Sequence, residues 1–325
     1  MKFRISFILI ISIFSINTTQ AEIAQAKSVS RIEQRSNPDP AHPIQNHSSF
    51  RRNGAGGQKF AIIIGQDEYQ QNPLKTCVND ARKMDYLVKN KLNYQNTHVK
   101  LFLDKQISYA ILRKLITNLA MITTKEDFVF FYYSGHGVKV MDRVKQKQTS
   151  ALLLSTFENV KARIFARWIS RIKAQSLFVF DSCYSGGMFS SEFIGALNGE
   201  MKSTANDNYF FLSSSGSNEI SMTMPSAGLS RFTYFFQKAL LENLGDTNHD
   251  GKLSLLEVFN WSRQQTISYG DKFGHRHNPA IFGSNAHNVI LKKYIRQSGE
   301  RPSRLPEGAK GEPAVTGQQK IMTAI

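Results

Sequence analysis

The chain has 325 residues and a formal net charge of +16. Half of the excess lies in residues 1–57 and 292–325, which each carry seven basic and three acidic side chains. No nucleic-acid-binding motif accompanies the remaining charge, so we predict no specific nucleic-acid partner. Two cysteines are too few for a secreted scaffold built on disulfides, although a single Cys77–Cys183 disulfide remains open at this point.

The first 26 residues have the pattern of a secretory signal peptide. Lys2 and Arg4 precede an apolar run over residues 5–16, and small-residue cleavage sites follow at Ala21 and Ala26. This run is shorter than the ~20 residues that span a bilayer, and no later segment is long or apolar enough, so we predict no membrane span. We therefore expect an exported protein, secreted or periplasmic, cleaved near Ala26 or Ala21.

Polar segments that contain proline flank the rest of the chain. Their composition predicts a flexible N-terminal segment over residues 27–57 and a disordered C-terminal tail over residues 296–325. The intervening residues, 58–295, are enough for one α/β domain with an ample core.

Strand and helix patterns alternate along this domain. Apolar runs predict strands over 59–65, 97–104, 126–137, 177–180 and 208–215, whereas helical spacing predicts helices over 73–92, 107–122 and 163–172. A polar stretch after residue 137 predicts an excursion or hairpin. Such alternation is typical of a mostly parallel sheet with helices on both faces.

Two residues with catalytic chemistry follow predicted strands. His136 lies between Gly135 and Gly137, and Cys183 follows a later strand 47 residues on. The carboxyl ends of neighbouring parallel strands meet at the edge where open α/β sheets bind ligands. A cysteine at a strand end usually packs and a loop histidine is usually solvated, but their matching positions favour a nucleophile and its base. The glycines would let the backbone turn sharply and offer N–H groups to an oxyanion.

The segments FFYYSGHG and VFDSCYSGG resemble the histidine and cysteine motifs of caspase-like peptidases, family C14, in the form typical of metacaspases and bacterial caspase homologues. KFAIIIGQDEY, PLKTCVNDA and GLSRFTYFFQKAL resemble other parts of that family, over residues 58–290 in all. The resemblance implies a caspase-haemoglobinase fold, a three-layer α/β/α arrangement with a mostly parallel sheet. It also implies a cysteine endopeptidase in which Cys183 attacks the scissile carbonyl, His136 acts as acid and base, and the N–H groups of Gly137 and Cys183 hold the oxyanion.

Metacaspases prefer Arg or Lys at P1, and the acidic residues of their S1 pocket correspond to Asp80 and Asp181 in this chain. Two carboxylates would attract a basic side chain and repel an acidic one. The resemblance thus implies protein or peptide substrates with a basic P1 residue. The alternative for Asp80 is a helix-surface carboxylate facing Arg82 or Lys83. Cys77 matches a second cysteine of many metacaspases and is expected to line the pocket.

A second motif, DTNHDGKLSLLE over residues 246–257, fits the calcium loop of an EF-hand. The expected ligands are Asp246, Asn248, Asp250, Lys252 through its carbonyl, Ser254 directly or through water, and bidentate Glu257. Gly251 occupies the sharp turn, and amphipathic helical patterns flank the loop. We therefore predict Ca²⁺ as a cofactor, the alternative being a loop that merely turns between helices.

Two other functions remain open. The first is a binding module with a caspase-like fold whose dyad is retained but unused. The second is a legumain-like or gingipain-like peptidase, which shares the His-Gly and Cys pattern but lacks the CVNDA helix. Intact Cys183, His136, both glycines and both acids favour the caspase-like enzyme, because a binding role needs none of them together.

Overall fold

The computed structural model of the protein describes residues 49–142, 146–200 and 208–295. Its elements in chain order are β1 (Lys59–Gly65), α1 (Cys77–Lys91), β2 (Val99–Leu103), α2 (Tyr109–Ile122), β3 (Phe128–Ser134), β4 (Gly137–Asp142), β5 (Lys147–Leu153), β6 (Asn159–Lys161), α3 (Ala162–Ile169), β7 (Gln175–Asp181), α4 (Ser191–Glu200), β8 (Tyr209–Ser213), β9 (Thr223–Met224), β10 (Leu229–Ser230), α5 (Arg231–Leu241), β11 (Lys252–Ser254), α6 (Leu255–Lys272), β12 (Ala280–Phe282) and β13 (Ile290–Lys293). None of the described helices is long and apolar enough to cross a bilayer.

The central sheet has six strands in the order β12-β8-β7-β3-β1-β2. Five of them run parallel, and the edge strand β12 pairs antiparallel with β8. Successive β1 side chains enter different cores: Ile62 and Ile64 face α2, α3 and α4, while Ala61 and Ile63 face α1, α5 and α6. A parallel sheet covered on both faces needs apolar residues at every position, which explains the continuous apolar runs of the sequence. The expected three-layer α/β/α fold is confirmed.

Helix α1 begins later than the pattern predicts. Pro73 was expected at its start, but the first helical residue is Cys77. The Asp67 carboxylate supplies the missing cap from outside the helix: it accepts the N–H groups of Cys77 at 2.9 Å and Val78 at 3.1 Å. An anionic acceptor also suits the positive end of a helix dipole. Residues 66–76 are thereby kept as a loop above the sheet.

The polar stretch after residue 137 forms the predicted hairpin. Strands β4, β5 and β6 build a separate three-stranded antiparallel sheet that leaves the main one directly after His136. The N–H of Leu153, at the end of β5, donates to the His136 carbonyl at 3.0 Å. The hairpin therefore fixes the far side of the histidine loop.

Packed structure begins before residue 58, inside the segment predicted as flexible. Phe50 is 3 % exposed and meets the ring of Phe60 edge-on, with centroids 5.7 Å apart. Arg52 forms an ion pair with the buried carboxylate of Asp127. The predicted signal peptide, the rest of the N-terminal segment and the C-terminal tail from residue 296 lie outside the described residues, so they stay predictions.

Replacing Phe50 by alanine is expected to lower the free energy of unfolding by about 3 kcal/mol, because a buried ring is lost from the core. The measurement is the midpoint of urea unfolding. Phe157→Ala is the matched control: Phe157 is 49 % exposed and its replacement should cost less than about 1 kcal/mol. Equal effects of the two variants would show that residues 49–57 are not part of the folded unit.

Candidate active site

The parallel pairing of β3 with β7 brings the histidine and cysteine loops together. Ser134 and Asp181 are the last partners of this pair in register, and His136 and Cys183 each lie two residues further on. The N–H of Gly135 donates to the Asp181 carbonyl at 3.4 Å. A Cβ on Gly137 would overlap with the carbonyl oxygen of Cys183. The predicted pair therefore shares one edge of the sheet, and Gly137 serves close approach of the two loops rather than a left-handed turn.

His136 is oriented by the loop that follows β1. Its Nε2 lies 2.7 Å from the carbonyl oxygen of Asn72, a residue in the left-handed region with φ +55°. A carbonyl oxygen can only accept, so Nε2 must carry the proton of the neutral ring. Nδ1 is then the basic nitrogen of the half-buried imidazole.

Cys183 is a free, half-buried thiol. Burial, followed by the charge of Asp181, raises its pKa, so the thiol holds its proton at neutral pH and needs a base to become a nucleophile. The backbone turns at Tyr184, whose φ is +57° and whose N–H donates to the Glu219 carbonyl at 2.9 Å. The loop that carries Cys183 is thus held by the loop that follows β8.

Asp80 and Asp181 lie buried beneath this edge, 0 % and 2 % exposed. The Asp80 carboxylate accepts from Ser134 Oγ at 2.8 Å, and from the N–H and Oγ of Ser230 at 2.8 and 2.5 Å. Asp80 is therefore not a surface carboxylate facing Arg82 or Lys83, and that alternative is wrong.

Asp181 is held in the same manner. Its carboxylate accepts from Ser221 Oγ at 2.7 Å, and from the N–H and Oγ1 of Thr233 at 3.2 and 2.7 Å. Burial, and next the charge of Asp181, raise the pKa of Asp80 to about 8. The two acids are thus close enough to repel each other, and hydroxyl and amide donors stabilise them in place of water.

Cys77 lies one turn before Asp80, at the start of α1, and is 4 % exposed. It is a free thiol, so the Cys77–Cys183 disulfide left open by the sequence is absent. Burial, followed by the charge of Asp80, raises its pKa well above the usual range. A protonated, buried thiol agrees with an accessory rather than a nucleophilic role.

The sequence did not identify most of the residues that hydrogen-bond to Asp80 and Asp181. Ser230 and Thr233 occur in the quoted segment GLSRFTYFFQKAL, and Ser134 in SGHG, but neither motif shows which carboxylate each hydroxyl meets. His277 was also missed. It is 1 % exposed and interacts with Asp181, and burial lowers its pKa to about 4. It is therefore a neutral neighbour of the site at neutral pH.

The predicted calcium loop lies between α5 and α6, as its flanking patterns indicate. Asp246 is buried and accepts the N–H groups of Asp250 and Gly251 at 3.2 and 3.1 Å. Glu257 Oε2 accepts the N–H and Oγ of Ser254 at 3.0 and 2.7 Å, whereas its Oε1 is buried without a hydrogen-bond partner.

All the predicted ligands of this loop offer oxygen atoms, the kind that Ca²⁺ prefers, and the unpaired Glu257 Oε1 is one of them. Across residues 49–142, 146–200 and 208–295, however, no three His, Cys, Asp or Glu side chains lie together as they would around a metal ion. The donor chemistry therefore fits calcium, while its carboxylates are not gathered around one point.

Comparison with known proteins identifies relatives of this architecture. A family model described as the caspase domain, Peptidase_C14, matches residues 58–286. The chain is 25 % identical over 187 residues to metacaspase-1 of Ajellomyces capsulatus, which covers 51 % of this chain and 52 % of that protein. It is 24 % identical over 170 residues to metacaspase-1 of Botryotinia fuckeliana, which covers 47 % and 41 %. The chain spans about half the length of these curated relatives, or less.

Two solved structures share the fold. Caspase-1 from Spodoptera frugiperda superposes with a TM-score of 0.50 at 13 % identity, over 80 % of this chain and 98 % of that one. A protein from Geobacter sulfurreducens superposes with a TM-score of 0.51 at 16 % identity, over 69 % and 92 %. Similarity at this level of identity shows a shared fold only, so the chemistry of the site must be argued from its own residues.

The raised pKa of Asp80 predicts a pH-dependent stability. The folded state keeps this carboxyl protonated up to about pH 8, whereas the unfolded chain releases the proton near pH 4. Between these values the folded state binds more protons, so its free energy of unfolding should fall as pH rises, by at most about 1.4 kcal/mol per pH unit. Urea unfolding of the wild type and Asp80→Asn across this range gives the contribution as a difference.

Asp85→Asn is the control, because Asp85 lies on the same helix, where it pairs with Lys89. This variant should keep the wild-type slope. A wild-type minus Asp80→Asn difference that stays constant from pH 4 to 8 would contradict the raised pKa.

Proposed function

The chain belongs to the caspase domain family, and on that premise we propose that it is a cysteine endopeptidase with Cys183 and His136 as its dyad. The observation that carries the proposal is the hydrogen bond from His136 Nε2 to the Asn72 carbonyl, beside the paired ends of β3 and β7. This bond leaves Nδ1 as the base for a thiol at the same sheet edge.

The reaction then divides into two steps. Cys183 Sγ attacks the scissile carbonyl carbon while His136 Nδ1 takes its proton, and the N–H groups of Gly137 and Cys183 stabilise the oxyanion. His136 next gives that proton to the departing amine as the C–N bond breaks. Water, deprotonated by His136, attacks the resulting thioester and regenerates the thiol.

We propose that the enzyme cleaves after Arg or Lys. Asp80 and Asp181 are supported as the S1 acids by their position under the nucleophile's edge and by their mutual charge interaction. Each carboxylate accepts three protein hydrogen bonds, whereas a carboxylate has about four acceptor positions. Each carboxylate therefore keeps about one acceptor position, to which a guanidinium or ammonium group that reaches the buried pair would donate.

The competing proposal is a silent binding module of the same fold. Such a protein gains nothing from an imidazole with a fixed tautomer or from two buried carboxylates, which cost free energy to desolvate. The oriented His136 therefore favours the enzyme.

We also propose that the protein is exported, on the signal-peptide pattern of its first 26 residues.

Purified protein is expected to hydrolyse reporter peptides ending in Arg or Lys at least about 100-fold faster than matched peptides ending in Asp, since a buried like-charge contact costs several kcal/mol. The measurement is kcat/KM for each reporter. Asp80→Asn should reduce this discrimination, while Asp85→Asn, which removes an acid paired with Lys89 on the same helix, should preserve it.

Cys183→Ala and His136→Ala should each lower turnover at least about 1,000-fold, because loss of either member disables the pair. Equal cleavage of Arg and Asp reporters would refute the acidic S1 pocket. Full activity of Cys183→Ala would place the nucleophile elsewhere.

We propose further that residues 246–257 bind Ca²⁺ weakly, with Asp246, Asn248, Asp250, the Lys252 carbonyl, Ser254 and Glu257 as ligands. The supporting observation is Glu257 Oε1, a buried carboxyl oxygen without a hydrogen-bond partner. A buried, unpaired carboxylate oxygen is costly, and a bound cation would compensate for it. Calcium would supply charge neutralisation at the α5–α6 junction.

Millimolar Ca²⁺ is accordingly expected to raise the melting temperature by mass action on the folded state. Glu257→Gln should remove most of the shift, since it deletes the charge of the bidentate ligand. Glu242→Gln, an exposed acid next to α5, should leave the shift intact. Calorimetric traces that coincide with and without Ca²⁺ would reduce the loop to a plain turn.

A further inference from the structure

We propose that Tyr69 is a positioning residue for the dyad, holding both the ring and the backbone of His136 in their catalytic arrangement. The inference rests on the proposed function, since it concerns the same histidine. It starts from contacts that neither the motifs nor the family match assign to Tyr69.

The ring of Tyr69 packs directly against the imidazole. The two centroids lie 4.4 Å apart with an interplanar angle of 57°, and Tyr69 is only 4 % exposed. A buried aromatic ring on one face of the imidazole restricts its rotation and excludes water from that face. The ring therefore acts together with the Asn72 carbonyl, which fixes Nε2.

The hydroxyl of Tyr69 acts on the histidine backbone. It accepts the His136 N–H at 3.0 Å and donates to the Leu153 carbonyl at 3.0 Å. On the other side of the same residue, the single proton of the Tyr133 hydroxyl has two carbonyl acceptors, that of His136 at 2.9 Å and that of Leu153 at 2.6 Å. Two tyrosine hydroxyls thus hold the two polar backbone groups of the catalytic residue.

These two hydroxyls explain the glycine before the histidine. A Cβ on Gly135 would lie 2.6 Å from Tyr69 Oη and 2.7 Å from Tyr133 Oη. Any side chain at this position would push both hydroxyls away. Gly135 has no positive φ, so its lack of a side chain makes room for the tyrosines rather than for a left-handed turn.

Tyr69 is itself held by the loop that orients His136 Nε2. The Asp67 carbonyl accepts the N–H groups of Tyr69 at 2.9 Å and Leu74 at 3.0 Å, while the Asp67 carboxylate caps α1. Asp104 Oδ1 accepts the N–H groups of Asp67 at 2.7 Å and Glu68 at 2.9 Å. These hydrogen bonds fix the loop between β1 and α1, so that Tyr69 and Asn72 both contact the imidazole of His136.

Removal of the Tyr69 hydroxyl and removal of the Tyr133 hydroxyl would have different effects on the hydrogen bonding of the His136 backbone. The His136 carbonyl also accepts the Leu153 N–H at 3.0 Å, so it keeps a partner without Tyr133. The His136 N–H has Tyr69 Oη as its acceptor, and its removal would leave a half-buried donor unpaired. Tyr69→Phe should therefore displace the histidine more than Tyr133→Phe does.

The first experiment compares kcat and KM for an arginine reporter peptide. Tyr69→Phe should lower kcat about 10- to 100-fold with KM changed less than about twofold, because a misplaced base slows chemistry rather than binding. Tyr69→Leu, which also loses the ring, should be slower still. Tyr133→Phe should lie between Tyr69→Phe and the wild type.

Tyr209→Phe is the matched control. The Tyr209 hydroxyl is buried and donates to the carbonyls of Ile169 and Ile172 at 3.2 and 2.5 Å, away from the sheet edge that carries the dyad. It should lower the melting temperature about as much as Tyr69→Phe while keeping kcat within about twofold of the wild type. Equal loss of kcat in both variants would overturn the inference, since it would reduce Tyr69 to a structural residue.

A second readout needs no substrate: the pH dependence of Cys183 alkylation by iodoacetamide, followed at that residue by mass spectrometry. Because His136 is displaced, Cys183 in Tyr69→Phe should be alkylated about tenfold more slowly at pH 7, and the apparent pKa of the alkylation profile should move upward. Cys183 in Tyr209→Phe should react as in the wild type. If the wild type cleaves no peptide and this shift still appears, the proposed peptidase function fails and the positioning role stands. Superimposable profiles of Tyr69→Phe and the wild type would overturn it.

Discussion

The site depends on one constraint, the in-register parallel pairing of β3 with β7. Because Ser134 lies opposite Asp181, residues two positions further on must leave the sheet side by side. The pairing is held by a sheet whose strands are apolar on both faces and covered by helices on each side. The core therefore brings His136 and Cys183 to one edge of the sheet, and the loops adjust their final positions.

The same edge must also bury two carboxylates. Burial, followed by the charge of Asp181, raises the pKa of Asp80, and the hydrogen bonds from Ser230 and Ser134 oppose that rise. Ser134 and Ser230 serve Asp80, and Ser221 and Thr233 serve Asp181. These donors are neutral hydroxyl groups, so they stabilise the two acids without adding a positive charge beside them.

The layer architecture was predictable from the sequence because it follows from periodicity. The strand over residues 59–65 has the predicted bounds, since a continuous apolar run can be recognised without knowing which strands lie beside it. The edge strand β12 was missed: its three residues are too few to show a period, and it exists through its pairing with β8. The start of α1 was placed four residues early, because its cap is supplied by Asp67 from outside the helix.

The residues of the site also fall into two groups: those that local sequence identifies and those that only tertiary contacts identify. His136 and Cys183 could be proposed from the sequence because imidazole and thiol groups carry their chemistry in their side chains, at strand ends that periodicity locates. The acceptor of His136 Nε2 is a backbone carbonyl, which every residue possesses. The amino-acid sequence therefore does not distinguish Asn72 from its neighbours as that acceptor. Tyr69 was equally hidden, because a tyrosine after a strand is most simply a packing residue. Its importance follows from the absence of a side chain at Gly135, and that relation between two loops exists only once β1 and β3 lie together in the sheet.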